Sequence, residues 1–142
     1  MQVMVETKRK DRGFSLIELI VVLVILGMLA AVVAPRVMER LGKGKGEIAK
    51  VQIGNLKSAL DLFRFDVGRY PTTAEGLEAL VTNPGVQNWD GPYLNKKALP
   101  KDPWGREYQY RSPGEHDDFD LFSLGADGAE GGEGENADAV SW

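Results

Sequence analysis

The chain has no cysteine. That excludes a disulfide framework, a thiol nucleophile and any thiolate-ligated zinc or iron–sulfur centre. Histidine occurs once, as His116, which excludes a multi-histidine metal site. Positive charge is in the minority, with 17 Lys and Arg against 21 Asp and Glu for a net charge of −4. Nothing in that balance favours nucleic acid as a partner. The length of 142 residues leaves room for one small domain with an appendage, and too little for a two-domain enzyme.

What is present is segregated along the chain. Residues 1–13 carry Lys8, Arg9, Lys10 and Arg12 against Glu6 and Asp11. Residues 14–34 read FSLIELIVVLVILGMLAAVVA, with no charge from Leu19 to Ala34. Residues 112–142 hold nine Asp or Glu, six Gly and no Lys or Arg. The apolar run, at 1.5 Å per helical residue, spans roughly 30 Å, the thickness of a bilayer's hydrocarbon core. A helix apolar on every face has no place in a soluble domain this small.

Two plain readings of this segment are a cleaved secretory signal and a simple membrane anchor. The run is long for a signal core, and Ala34-Pro35-Arg36 offers no clear small-x-small site, although Ala30, Ala31 and Ala34 keep that alternative open. As an anchor, its basic flank places residues 1–13 on the cytoplasmic side. Neither reading explains Glu18. A carboxylate five residues into an apolar helix costs a few kcal/mol, on the order of 2–3, unless it is paired or near the interface. A helix that packs beside copies of itself has a use for it. Cleavage after Gly13 would free an amine on Phe14, and pairing that amine with Glu18 of a neighbour offsets both desolvation costs and sets an axial offset.

The run Arg12-Gly13-Phe14-Ser15-Leu16-Ile17-Glu18, followed by the apolar segment, resembles the type IV prepilin signal. The resemblance implies cleavage after Gly13 by a prepilin peptidase, N-methylation of Phe14 and an assembly role for Glu18.

Beyond the apolar run, Pro35 ends or kinks an ordinary helix, and Gly42, Gly44 and Gly46 each cost a helix about 1 kcal/mol relative to Ala. Residues 35–47 therefore read as a weak helical section, either an inert linker or one that unwinds when subunits pack. From Ile48 the pattern Ile48, Val51, Leu56, Ala59, Leu60, Phe63 and Val67 predicts a helix with a core-facing stripe, closed by Gly68 and Pro71. A short second helix is expected over Thr73–Val81, capped by Thr72 or Thr73 with Glu75 in its first turn. Asp102-Pro103-Trp104-Gly105 reads as a turn. Glu107–Arg111 and Asp118–Leu124 read as strands, with a weaker third around Tyr93-Leu94. The expected class is α+β, a long helix laid on a small antiparallel sheet.

Three segments after the helix resemble the major pseudopilins of type II secretion systems: Gly68-Arg69-Tyr70-Pro71-Thr72-Thr73-Ala74-Glu75-Gly76-Leu77-Glu78-Ala79-Leu80, Leu99-Pro100-Lys101-Asp102-Pro103-Trp104-Gly105, and Asp120-Leu121-Phe122-Ser123-Leu124-Gly125-Ala126-Asp127-Gly128. With the N-terminal motif, the resemblance runs from Arg12 to Trp142. The missing cysteines agree, since type IVa pilins usually close a C-terminal loop with a disulfide. The resemblance implies a type IV pilin-like fold and a non-enzymatic filament subunit. The division it implies is a cleaved leader (1–13), a transmembrane and filament-core helix (14–34), the weak section (35–47) and a periplasmic globular domain (48–142). The implied partners are copies of the chain itself in a homopolymer, minor pseudopilins, an inner-membrane assembly platform with its cytoplasmic ATPase, and an outer-membrane secretin. A minor type IV pilin-like protein for motility or DNA uptake is the alternative within the class. An anchored calcium-dependent enzyme or binding module is the alternative outside it.

Residues 124–138, LGADGAEGGEGENAD, have little to bury. They read either as a disordered acidic tail or as a calcium loop, since calcium accepts six to eight oxygens in irregular geometry. The resemblance implies ligands at the carbonyl of Leu124, the side chain of Asp127, a carbonyl near Ala129, and Asp138, with Asn136 or Glu135 completing the shell. Ala137 stands where some relatives carry a second acid. Asp117, Asp118 and Asp120 read as solvated, His116 as an exposed turn residue, and Trp89, Trp104 and Trp142 as packing anchors.

Overall fold

The computed structural model describes residues 12–142. Most of the expected leader, residues 1–11, lies outside them. The chain forms two compact units, the first ending at Val37 and the second comprising Met38–Trp142.

Helix α1 is Leu16–Val67. In the first unit it is long and apolar enough to cross a membrane, and none of its apolar window is buried. Leu16, Ile17, Leu23, Met28 and Val32 all stand open. Pro35 lies inside the helix rather than ending it, and Gly42, Gly44 and Gly46 are helical as well. Gly42 is there for a steric reason: a Cβ would sit 1.7 Å from Cγ of Glu135, whose side chain lies across the helix at that point.

In the second unit one face of α1 supplies the core through Ala49, Ile53, Leu56, Ala59, Leu60 and Phe63. This corrects the predicted stripe at its start: Ile48 and Val51 are 52% and 63% exposed, and Ala49 and Ile53 are buried in their place. The 49-53-56-60-63 spacing of four and three holds one helix face, and residues 48 and 51 fall off it. Burying side chains such as Leu56, Leu60 and Phe63 contributes roughly 1.5–3 kcal/mol each. The helix ends where Gly68 takes φ +89° and its N–H closes on the carbonyl of Arg64 at 2.8 Å.

The expected second helix over Thr73–Val81 is shorter and tighter: turns at 73–76 lead into a 3₁₀ helix, Leu77–Leu80. A reciprocal capping box holds its entry. Thr72 N–H donates to Glu75 Oε2 at 2.8 Å, and Glu75 N–H donates to Thr72 Oγ1 at 3.2 Å. Arg69 clasps the same carboxylate from outside with two bonds of 2.8 Å. Trp89 is an anchor as expected, its Nε1–H donating to the carbonyl of Ala79 at 2.7 Å.

The sheet is antiparallel with order β1-β2-β3, from β1 Gln109–Arg111, β2 Asp120–Ser123 and β3 Ala139–Val140. Tyr110 pairs with Leu121, and Phe122 with Val140. The third strand is therefore the C-terminal Ala139–Val140, and Tyr93-Leu94 forms none. Central β2 is buried along its whole length. On one face Leu121 enters the core and Ser123 donates to Asp102 Oδ2 at 2.7 Å. On the other, Phe122 meets the ring of Trp142 edge-on at 5.9 Å. The C-terminus is tied down by Lys57 Nζ donating to the Ser141 carbonyl at 2.9 Å, and by Leu121 N–H donating to Ser141 Oγ at 3.0 Å.

Candidate functional site: the helix start and the acidic loop

Two regions carry the residues singled out from the sequence, one in each unit. Just before α1, Gly13 and Phe14 lie outside any regular element and are exposed, Phe14 to 83%. Glu18 has a local partner. Its N–H donates to Ser15 Oγ at 3.2 Å, and Ser15 N–H donates to its Oε2 at 3.5 Å. Ser15-x-x-Glu18 is thus a capping box, which satisfies two otherwise orphan donors and places negative charge at the positive end of the helix dipole. Both contacts are exposed, so the carboxylate stays accessible to a second cation.

The acidic loop leaves β2 at Leu124 and returns at β3. Gly125 and Gly132 let it double back. Both have positive φ, at +64° and +93°, and at each a Cβ would collide with the carbonyl of Asn136, at 2.8 and 2.6 Å. A short 3₁₀ helix, Gly134–Asn136, makes the return, and the N–H of Ala126 donates to the carbonyl of Glu135 at 2.9 Å.

Each candidate ligand has a definite place. Leu124 is half-buried at the end of β2. Asp127 is exposed, and its Oδ1 accepts from the N–H of Ala129 at 3.1 Å. The Asn136 carbonyl lies against Gly125 and Gly132. Asp138 Oδ2 accepts from the N–H of Gly131 at 2.9 Å, while its Oδ1 is buried without a partner. A buried, unpartnered carboxylate oxygen is costly, and a cation beside it removes the cost. Of the candidate ligands, Asp138 is the one whose open oxygen suits a cation. Among the described residues no three acidic or histidine side chains are gathered closely enough to hold a metal alone, so a calcium shell here would have to draw on backbone carbonyls as well. Glu135 lays its side chain against α1 at Gly42.

One expectation is corrected beside this loop. Asp120 is only 1% exposed rather than solvated. Its carboxylate accepts from the N–H of Glu115 at 2.9 Å, the N–H of His116 at 3.2 Å and His116 Nδ1 at 3.0 Å. Burial pushes its pKa up, and these bonds, led by the one from His116, outweigh burial and leave it below the usual carboxylate range. His116 in turn stacks flat on Trp142, with centroids 4.0 Å apart and planes 4° apart. It is exposed and sits in a bend, as expected, and it also links Asp120 to Trp142.

Sequence reasoning missed Arg106 and the role of Asp102. Buried Asp102 binds the N–H of Trp104 at 3.1 Å and that of Arg106 at 2.8 Å through Oδ1. Arg106 then donates Nη1–H to the Gly125 carbonyl at 2.7 Å and Nη2–H to the Ala126 carbonyl at 3.1 Å. The signal for Asp102 was its place at the head of a turn; for Arg106 there was none.

Comparison with known proteins bears on both regions. The family model described as type II secretion system (T2SS), protein G matches residues 36–142. The prokaryotic N-terminal methylation motif matches residues 8–34. A type II secretion system core protein G of Pseudomonas aeruginosa is 51% identical over 141 residues, covering 95% of this chain and 97% of its own. The protein of that description from Vibrio cholerae is 50% identical over 138 residues, covering 94% and 93%. Among solved structures, the major pseudopilin of the type 2 secretion system of enterohaemorrhagic Escherichia coli matches with a TM-score of 0.61 at 40% identity, over 74% of this chain and 92% of that one. From the methylation motif through the long helix and small sheet to the C-terminal loop, this chain belongs to the type II secretion system protein G family, the family of the major pseudopilins.

Proposed function

We propose that this chain is the structural subunit of the pseudopilus of a type II secretion system, made as a precursor held in the inner membrane with its globular domain in the periplasm. A prepilin peptidase removes residues 1–13 and the new terminal Phe14 is N-methylated. The subunits polymerise, with minor pseudopilins, on an inner-membrane assembly platform, and the growing filament drives folded proteins through an outer-membrane secretin. The chain's own part in this is binding and packing rather than bond-making chemistry.

The observation that carries the reading is the fully open apolar face of α1, placed directly behind Gly13-Phe14 and headed by an accessible Glu18. Lipid covers that face before assembly and neighbouring helices cover it afterwards. Glu18 would receive the free amine of a neighbour's Phe14 in addition to its own Ser15, fixing the axial step between subunits. The open apolar positions continue on α1 beyond the membrane length, through Ile48, Val51, Leu62 and Phe65. They lie on the side of the helix away from the core stripe, and a second copy's helix is their natural cover.

The acidic loop is proposed to hold calcium through the carbonyls of Leu124 and Ala129, the carboxylates of Asp127 and Asp138, and Asn136. The unpartnered Asp138 oxygen supports this set. Bound there, the ion would neutralise a segment that carries Asp127, Glu130, Glu133, Glu135 and Asp138. The loop's residues would then keep β3 registered on β2.

Replacing Glu18 tests the assembly reading. Glu18→Ala is expected to be processed normally, to remain in the membrane and to yield few filaments by electron microscopy of overproducing cells. Filaments in normal number would refute the pairing.

A further inference from the structure

We propose that Arg106 is a built-in cation of the acidic loop: it positions the first turn of the loop in the absence of metal and thereby strengthens calcium binding without touching the ion. The second half of this statement rests on the calcium reading above.

The geometry begins in the turn at 102–105. Asp102 fixes the backbone on both sides of it. Its N–H donates to the Arg106 carbonyl at 2.8 Å, its carbonyl accepts from Gly105 at 2.9 Å, and its Oδ1 accepts from the N–H of Arg106. The other carboxylate oxygen, Oδ2, accepts from Ser123 Oγ at 2.7 Å, so the turn is locked to the end of β2. From this base the guanidinium reaches two successive carbonyls, Gly125 at 2.7 Å and Ala126 at 3.1 Å. The loop closes over it at Gly128, where a Cβ would lie 2.8 Å from Arg106 Cζ. Gly128 also has φ +66°, so both space and backbone select glycine there.

The residues held in this way stand between Leu124 and Asp127, the first two candidate ligands. A guanidinium is charged at every accessible pH and presents its donors in a planar fork, which suits it to two adjacent carbonyls. Two effects on calcium oppose each other. The positive charge repels the ion, while the fork removes freedom that the ion would otherwise have to remove. Arg106, Asp127 and Ala129 are exposed although Gly125 between them is buried, so solvent and salt screen the repulsion on the ligand side. The cost of ordering backbone is not screened. Preorganisation therefore wins.

The test uses the full chain in detergent micelles, as the parent, Arg106→Ala and Arg106→Lys. Hydrogen exchange in EDTA reads the loop without metal. Arg106→Ala should speed exchange in residues 125–129 and leave the α1 core amides unchanged, a pattern that general destabilisation would not give. Titration with calcium chloride by calorimetry should show about tenfold weaker binding in Arg106→Ala, equivalent to about 1.4 kcal/mol. Arg106→Lys, able to hold one carbonyl at a time, should fall between. Unchanged exchange in EDTA overturns the positioning role. Calcium binding as tight as in the parent, or tighter, overturns the claim that preorganisation outweighs repulsion. If the parent itself takes up no calcium, the calcium reading falls together with the affinity half of the proposal. The exchange measurement still decides the positioning half.

Discussion

Glu75 offers a calculable test of how the segment after α1 is held. Its carboxylate, 19% exposed, accepts both guanidinium bonds of Arg69 at 2.8 Å and the N–H of Thr72 at 2.8 Å. The Arg69 fork is the main cause of its low pKa, about 2 against an ordinary 4.5, with burial opposing and the Thr72 N–H assisting. Taken whole, that difference corresponds to roughly 3 kcal/mol of stability. Arg69 is 44% exposed, and solvent screening of such a pair reduces the figure to about 1.5 kcal/mol. Glu75→Gln keeps one acceptor for the Thr72 N–H but turns an amide N–H₂ towards the guanidinium. At pH 7 it should lower the melting midpoint, followed by tryptophan fluorescence of the full chain in micelles, by roughly 6–12 °C at about 4–8 °C per kcal/mol. The sign with pH follows from the depressed folded pKa. The contribution is complete above 4.5 and is lost as pH falls through about 2. Parent and variant should therefore converge as pH is lowered towards 2. A midpoint unchanged at pH 7, or a deficit equal at pH 7 and pH 2, would refute the assignment.

Two further predictions follow from the same reasoning. Asp120→Asn removes the charge from three hydrogen bonds at a buried position and should cost about 2–3 kcal/mol in urea unfolding at pH 7. Because the folded pKa of Asp120 is depressed, that cost should shrink as pH falls below the ordinary carboxylate value; a cost independent of pH would refute the ionised pairing with His116. On the calcium proposal, calcium chloride should raise the melting midpoint of the parent chain and Asp127→Ala should abolish that rise; an undiminished rise would remove Asp127 from the proposed ligand set.

The fold was legible in the sequence where one local rule decides the outcome. Gly68 and Pro71 mark the end of α1, and Thr72, one of two candidate caps, and Glu75, the first-turn acid, mark the turn whose hydrogen bonds they make. The charge-free run from Leu19 to Ala34 marked a helix with no core to enter. It was illegible where distant segments decide. Ile48 and Val51 are as apolar as the buried residues, but they stand off the helix face shared by Ala49, Ile53, Leu56, Leu60 and Phe63, the face that meets the core. A two-residue strand has no period to detect, so Ala139–Val140 gives no signal, while the weak apolar pattern at Tyr93-Leu94 forms no strand. Asp120 looked solvated because alternation along a strand presumes one wet face. Here Trp142, twenty-two positions further on, returns with His116 to cover that face. Arg106 gave no signal because its partners are backbone carbonyls, which every sequence contains.

The claim on which the functional reading turns is that the mature subunit begins at Phe14, four residues before Glu18. Intact-mass and fragmentation spectrometry of the chain purified from membranes of cells with an active prepilin peptidase measures this directly. The account predicts a single species starting at Phe14 and carrying one methyl group on its terminal amine. A chain that retains residues 1–13, or that starts beyond Ala34, would contradict it.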